Sequence, residues 1–142
     1  GHFKCARLLI EKGADVKDKG MKASAAAISA AVRGYSGCLR LLIEEGADVN
    51  AADIGGYTAL VYAVKQGSVD FMRLLIEKGA DVNSVGNQAC QALLLAANEG
   101  HLECARVLIE KGADINLASD SGLVALHPAV SRGHTECVRA LV

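Results

Sequence analysis

Five cysteines and four histidines are the residues of this chain with the most chemistry to offer, as metal ligands, nucleophiles or disulfide partners. Their spacing argues for a plainer role. Cys5 and Cys38 stand 33 residues apart, Cys104 and Cys137 likewise, and Phe71 occupies the same register between them. A position that accepts Cys or Phe is an apolar packing position, so these four read as reduced core thiols. If the copies stack as helices roughly 8–10 Å apart, neighbouring Cys5 and Cys38 also exceed the roughly 7 Å Cα separation that a disulfide tolerates. Cys90 falls outside the column and is expected in an accessible turn, the one candidate reactive thiol. His2, His101 and His134 share a second column, filled elsewhere by Tyr35 and Ser68, and no two histidines are spaced along one helix as zinc ligands. No phosphate-binding Gly-Lys-Ser/Thr occurs, and no Ser/His/Asp or Cys/His set recurs beyond the period. The expectation is therefore no catalytic residue, no metal, no cofactor and no enzymatic activity. Arg7, Arg40, Arg73, Arg106 and Arg139 form a further column, with Glu11, Glu44, Glu77 and Glu110 four residues on, a spacing that makes local pairs on a solvated helix face.

The elements that position these columns are set by a turn. Gly46-Ala47-Asp48-Val49-Asn50 recurs as Gly79 to Asn83, as Gly112 to Asn116 with one Ile, and earlier as Gly13 to Lys17. Such a period means stacked supersecondary units. Leu9, Leu42, Leu75, Leu108 and Leu141 align, as do Ile10, Ile43, Ile76 and Ile109; Ala26, Ala59, Ala92 and Ala125; and Ala30, Ala63, Ala96 and Ala129. Columns that stay apolar in each copy are expected in a repeating core. Within a unit, apolar spacing predicts one helix from about Ala59 to Gln66, capped by Thr58, and a second from about Val69 to Lys78. Helices of two to three turns are marginal alone, so stability must come from stacking. The Gly55-Gly56 stretch reads as a turn or hairpin reaching out of the stack.

Composition narrows the class. Half the 142 residues are apolar, but there is no Trp and little Phe or Tyr, which suits close-packed helices. Fifteen Lys plus Arg against 16 Asp plus Glu leave no bulk attraction to nucleic acid or an anionic membrane. No apolar run approaches the roughly 18 residues of a membrane-spanning helix. Reduced thiols point to a reducing, intracellular compartment, read as cytoplasmic with the nucleus also compatible.

Taken together, Asp53, Gly56, Thr58, Leu60, Ala63, Gly67, Leu74, Leu75 and Gly79 to Asn83, with Gly122, Leu126, His127, Gly133 and His134 in the last copy, resemble the ankyrin repeat. The resemblance covers the whole chain. It implies an all-α repeat solenoid: antiparallel helix pairs with outward β-hairpin loops, stacked into a curved array. The expected organisation is one array over 1–142, with a partial unit at 1–16, complete units at 17–49, 50–82 and 83–115, and a partial unit at 116–142. The family's Thr-Pro-Leu-His element is eroded: Thr survives once, His once and Pro never. The unit 17–49 also lacks the Asp and Gly of the hairpin and is expected to be the weakest. The chain opens and closes within a unit, so its native start is expected upstream, and uncapped ends offer end-to-end self-association.

The resemblance further implies a protein-binding module whose concave groove is lined by hairpin tips and first helices. The alternative is a targeting or regulatory segment of a larger enzyme, such as a kinase or ubiquitin ligase. Residues that vary between copies on this face are the candidate partner-binding set. They are Met21, Lys22, Ser24, Ser29 and Val32, then Ile54, Tyr57, Tyr62, Lys65 and Gln66. Asn87, Gln88, Cys90, Leu95 and Asn98 follow, and finally Asp120, Leu123, Pro128, Ser131 and Arg132. Tyr57, Tyr62, Leu95 and Leu123 stand out, because apolar and aromatic residues at exposed positions often anchor interfaces.

Overall fold

The computed structural model describes Lys4 and residues 21–84, 92–119 and 121–142, with only the backbone described for 21–24. Among these residues lie eight helices and no strand: α1 (Met21–Val32), α2 (Ser36–Glu44), α3 (Ala59–Lys65), α4 (Val69–Glu77), α5 (Ala92–Glu99), α6 (Leu102–Glu110), α7 (Leu126–Ser131) and α8 (Thr135–Leu141). They form four pairs, α1 with α2, α3 with α4, α5 with α6 and α7 with α8. The first helices pack in one row, α1 on α3 on α5 on α7. Beside it run the second helices α4, α6 and α8. No helix among the described residues is long and apolar enough to cross a membrane.

The repeating core follows the aligned columns. Leu42, Leu75, Leu108 and Leu141 are buried, as are Ala30, Ala63, Ala96 and Ala129. Methyl-sized side chains let the first helices approach closely, and burying each Leu contributes about 1.5–3 kcal/mol against the entropy of ordering it. Two columns depart from expectation. Ile43, Ile76 and Ile109 are half-buried, because they lie on the flank of the second helices and pack against the core edge. Ala59, Ala92 and Ala125 are 2% exposed, but Ala26 is exposed.

The Ala26 difference belongs to a larger one. In register Ala26 matches Ala59, the first residue of α3, yet α1 begins at Met21, five residues earlier. The helix therefore runs through the stretch expected to form a hairpin. Ala23 stands where the next unit has Gly56, whose φ is 79°. With no Gly for the left-handed turn residue and an Ala-rich run of high helix propensity, continued helix is the lower-energy path.

The Gly-Ala-Asp-Val-Asn turns also join the units. The Asn50 side-chain amide donates to the Gly79 carbonyl (3.1 Å), and its oxygen accepts from the Asp81 N–H (2.8 Å). Asn83 repeats both bonds with Gly112 (3.0 Å) and Asp114 (2.8 Å). The first copy of the turn carries Lys17 in this register, and a Lys side chain has no acceptor to complete the second bond.

Candidate functional site

The candidate face begins at the loop before α3, and Asp53 organises that loop. Its Oδ1 accepts the Gly55 N–H (2.8 Å) and the Tyr57 N–H (3.0 Å). The backbone closes with Asp53 N–H to Tyr57 O (3.1 Å), Gly56 N–H to Asp53 O (2.9 Å) and a single antiparallel bridge from Ala52 to Thr58. The expected hairpin is thus a tight turn with one bridge. Thr58 has β-region dihedrals and its hydroxyl accepts from the Val61 N–H at 3.4 Å, a long bond that starts α3. The second Asp53 oxygen accepts the Tyr62 hydroxyl proton at 2.5 Å, so the loop is tied to the helix it precedes. Burial opposes ionisation of Asp53, but the hydrogen bonds from the Tyr62 hydroxyl and the Tyr57 and Gly55 amides together outweigh it and hold the carboxyl below its ordinary value.

Around this anchor the structure gathers Tyr57, Tyr62 and Lys65. The two rings lie 5.6 Å apart at 34°, and the Lys65 ammonium sits 5.9 Å from the Tyr57 centroid, within cation–π range. Ile54, at the tip of the loop, is fully exposed. Tyr57 and Tyr62 are half-buried. Leu95 lies one unit along on α5, in the register of Tyr62, half-buried against the core. Further on, Leu123 is exposed on the equivalent loop before α7, and Arg132 is exposed at the end of α7.

That later loop makes the same closing backbone bonds with different side-chain chemistry. Ser119 takes the place of Asp53: its N–H donates to Leu123 O (2.8 Å), its hydroxyl accepts the Leu123 N–H (3.1 Å), and Gly122 N–H donates to Ser119 O (2.8 Å). Ser119 does not stand out in the sequence, although an ST-turn two residues before Ser121-Gly122 carries that signal. Asp120 lies outside the described residues, as do Asn87, Gln88 and Cys90.

Met21 and Lys22, named with the loop tips and first helices, lie in the first turn of α1. Gln66 does not face a ligand freely: its amide nitrogen donates to the Ala31 and Val32 carbonyls (2.9 and 3.1 Å), capping the C-terminal end of α1 from the next unit. His134 acts similarly on α5, with Nε2 at 3.2 Å from the Asn98 carbonyl, which makes Nε2 the protonated nitrogen. Its ring lies against Gly100, where φ is 73° and an added Cβ would meet the imidazole at 2.8 Å.

The groups with reactive chemistry are spread through the core. Cys38, Cys104 and Cys137 are buried free thiols, matching the packing column, whereas Cys5 lies outside the described residues. Burial pushes the Cys104 and Cys137 thiols up, with Glu103 and Glu136 adding to it, so both are protonated and poorly nucleophilic at neutral pH. Among the described residues no three His, Cys, Asp or Glu side chains are grouped to hold a metal. The surface arginines only partly follow the expected pairing. Arg40 reaches Glu44 (3.2 Å), but Arg106 turns back to Glu103 (3.3 Å) instead of Glu110, and Arg139, which has no Glu four residues on, pairs with Glu136 (3.1 Å). For Arg106 either neighbour lies one turn away on the helix, and the choice is worth a few tenths of a kcal/mol.

Comparison with protein-family models matches residues 1–86 to Ankyrin repeats (3 copies) and residues 93–142 to Ankyrin repeats (many copies). No curated protein matches the chain. Repeats of this kind are in general protein–protein interaction modules and are typically non-catalytic. With helix pairs in register, turns that recur at one period and matches spanning nearly every residue, the chain belongs to the ankyrin-repeat family.

Proposed function

We propose that this chain, as one array over residues 1–142, binds a protein partner along the face formed by its loop tips and first helices, without catalysing a reaction itself. The observation that carries the reading is where exposed apolar surface sits. Five large apolar side chains are exposed among the described residues. Three of them, Val32, Ile54 and Leu123, lie on α1 and on the loops before α3 and α7; the other two, Val130 and Val142, belong to the last helix pair. The same face carries the Tyr57–Tyr62 pair and, one unit along, Leu95. A face held by a stacked core is preorganised, so little entropy is lost when a ligand docks.

The test is binding by the whole chain and by a variant with Tyr57→Ala, Tyr62→Ala and Leu95→Ser. A partner captured by the wild type should lose at least tenfold in affinity, as expected when interface anchors are removed. Circular dichroism should report a helical array in both. Undiminished binding by a folded triple variant would place the interface elsewhere.

A further inference from the structure

The charge around the aromatic pair identifies the chemistry of the occupant. Lys65 is exposed at the last position of α3, and Arg33 is exposed immediately after α1. The two helix ends touch, since Gln66, next to Lys65, donates to the carbonyl of Val32, next to Arg33. Two exposed cations therefore stand at the adjoining ends of α1 and α3. Among the described residues no carboxylate forms an ion pair with either. Asp53 is the acid of the loop before α3, and its oxygens are engaged by Gly55, Tyr57 and Tyr62. Both cations complement the negative ends of their own helices, a local role that leaves their outward charge open to a ligand. The basic corner is bounded in register by Glu99, an exposed acid that accepts from Asn98. Exposed apolar side chains are at hand in Val32, which precedes Arg33, and in Ile54 of the loop whose Tyr57 ring Lys65 approaches.

We infer that the corner between α1 and α3 takes an extended peptide segment carrying an Asp or Glu within a few residues of an aliphatic anchor. The carboxylate is met by Arg33 and Lys65, and the anchor rests on Ile54 and the Tyr57–Tyr62 pair. This rests on the protein-binding reading above and adds polarity and sequence preference to it. Complementary charge at an exposed rim acts mainly on specificity and association rate, so the preference should weaken with salt.

The experiment is selection of a phage-displayed random peptide library on the whole chain and, in parallel, on the Arg33→Glu/Lys65→Glu variant. An Arg33→Gln/Lys65→Gln variant is included in case charge reversal perturbs folding. Wild type should enrich peptides with an acid close to Leu, Ile or Val. Changing that acid to its amide, or neutralising the two cations, should weaken a synthetic selected peptide roughly tenfold in low salt. The reversed variant should enrich Lys or Arg instead. Peptides that bind through Tyr57 and Tyr62 with no acid preference, equally well to all variants, would overturn this inference and leave the protein-binding reading standing. Selection that yields no peptide dependent on Tyr57, Tyr62 or Leu95 would overturn both.

Discussion

The units at 17–49 and 50–82 share buried Leu42 and Leu75, Ala30 and Ala63, and Cys38 and Phe71 in register, yet they build different surfaces. In the second, Asp53, Gly56 and Thr58 bend the chain into a tight loop and then start α3. In the first, the equivalent positions are Gly20, Ala23 and Ala25, and α1 runs from Met21 straight through. The core columns tolerate this because the helix continues into the same buried face at Ala27, Ala30 and Ala31. The comparison teaches that stacking and surface are specified separately: apolar columns hold the array together, and a polar residue followed three positions on by Gly, as in Asp53/Gly56 and Ser119/Gly122, marks a unit that presents a loop.

The largest effect should come from the core the two units share. Leu75 is fully buried between units, whereas Leu42 keeps 7% exposure. Leu75→Ala should cost about 2–5 kcal/mol in urea unfolding, with Leu42→Ala at or below the lower end of that range. Equal costs would mean that the 17–49 unit is packed as firmly as its neighbour.

Next comes the loop itself. Gly56→Ala forces a Cβ into a left-handed conformation and should lose about 1–2 kcal/mol. The reciprocal graft, Gly20→Asp with Ala23→Gly and Ala25→Thr, should shorten α1, read as lower helical ellipticity and altered amide shifts at residues 21–26. A graft that leaves α1 intact would break the claim that these three positions choose between helix and loop.

Asp53 should give a smaller effect with a definite pH signature. Its carboxyl is depressed in the folded protein from an ordinary value of 3.8. The stabilisation is therefore fully present above that value and is lost as pH falls through the lower folded-state value. Asp53→Asn should cost about 1 kcal/mol at neutral pH, trimmed by solvent because the site is only half-buried. It should also remove part of the acid-limb slope seen in thermal melts. At the register of Asp53 the 17–49 unit has Gly20, so that position makes no matching contribution there.

The smallest effect tests the seam between the two units. Glu44 pairs with Arg40 at 3.2 Å and reaches Lys78 of the next unit at 3.6 Å, all three partly solvated. Glu44→Ala should change stability by no more than about 1 kcal/mol, and less in high salt.

Much of the fold is legible because identical residues recur at one spacing, which turns single ambiguous side chains into columns. Cys38, Phe71, Cys104 and Cys137 can be read as core from that alone, and they are buried. Of the candidate site, Tyr57, Tyr62 and Lys65 can be found as residues that do not repeat. Their gathering on Asp53 cannot, since it depends on a carboxylate serving two backbone amides and a hydroxyl nine residues on. Gln66 escapes a linear reading for the opposite reason. Nothing local shows that an amide just past α3 will commit its donors to the carbonyls of α1, 34 and 35 residues away.

The sequence by itself determined the period, the helix pairs, the buried columns and the turn that closes each unit, because apolar periodicity and glycine stereochemistry act within a few residues. Only the tertiary structure decided the rest. It assigned Asn50 and Asn83 to bonds between units, Arg106 to Glu103 instead of Glu110, and the hairpin stretch of the first complete unit to helix. Those outcomes turn on which partner lies within hydrogen-bond distance once units stack, and on small differences between competing local conformations, neither of which a linear spacing encodes.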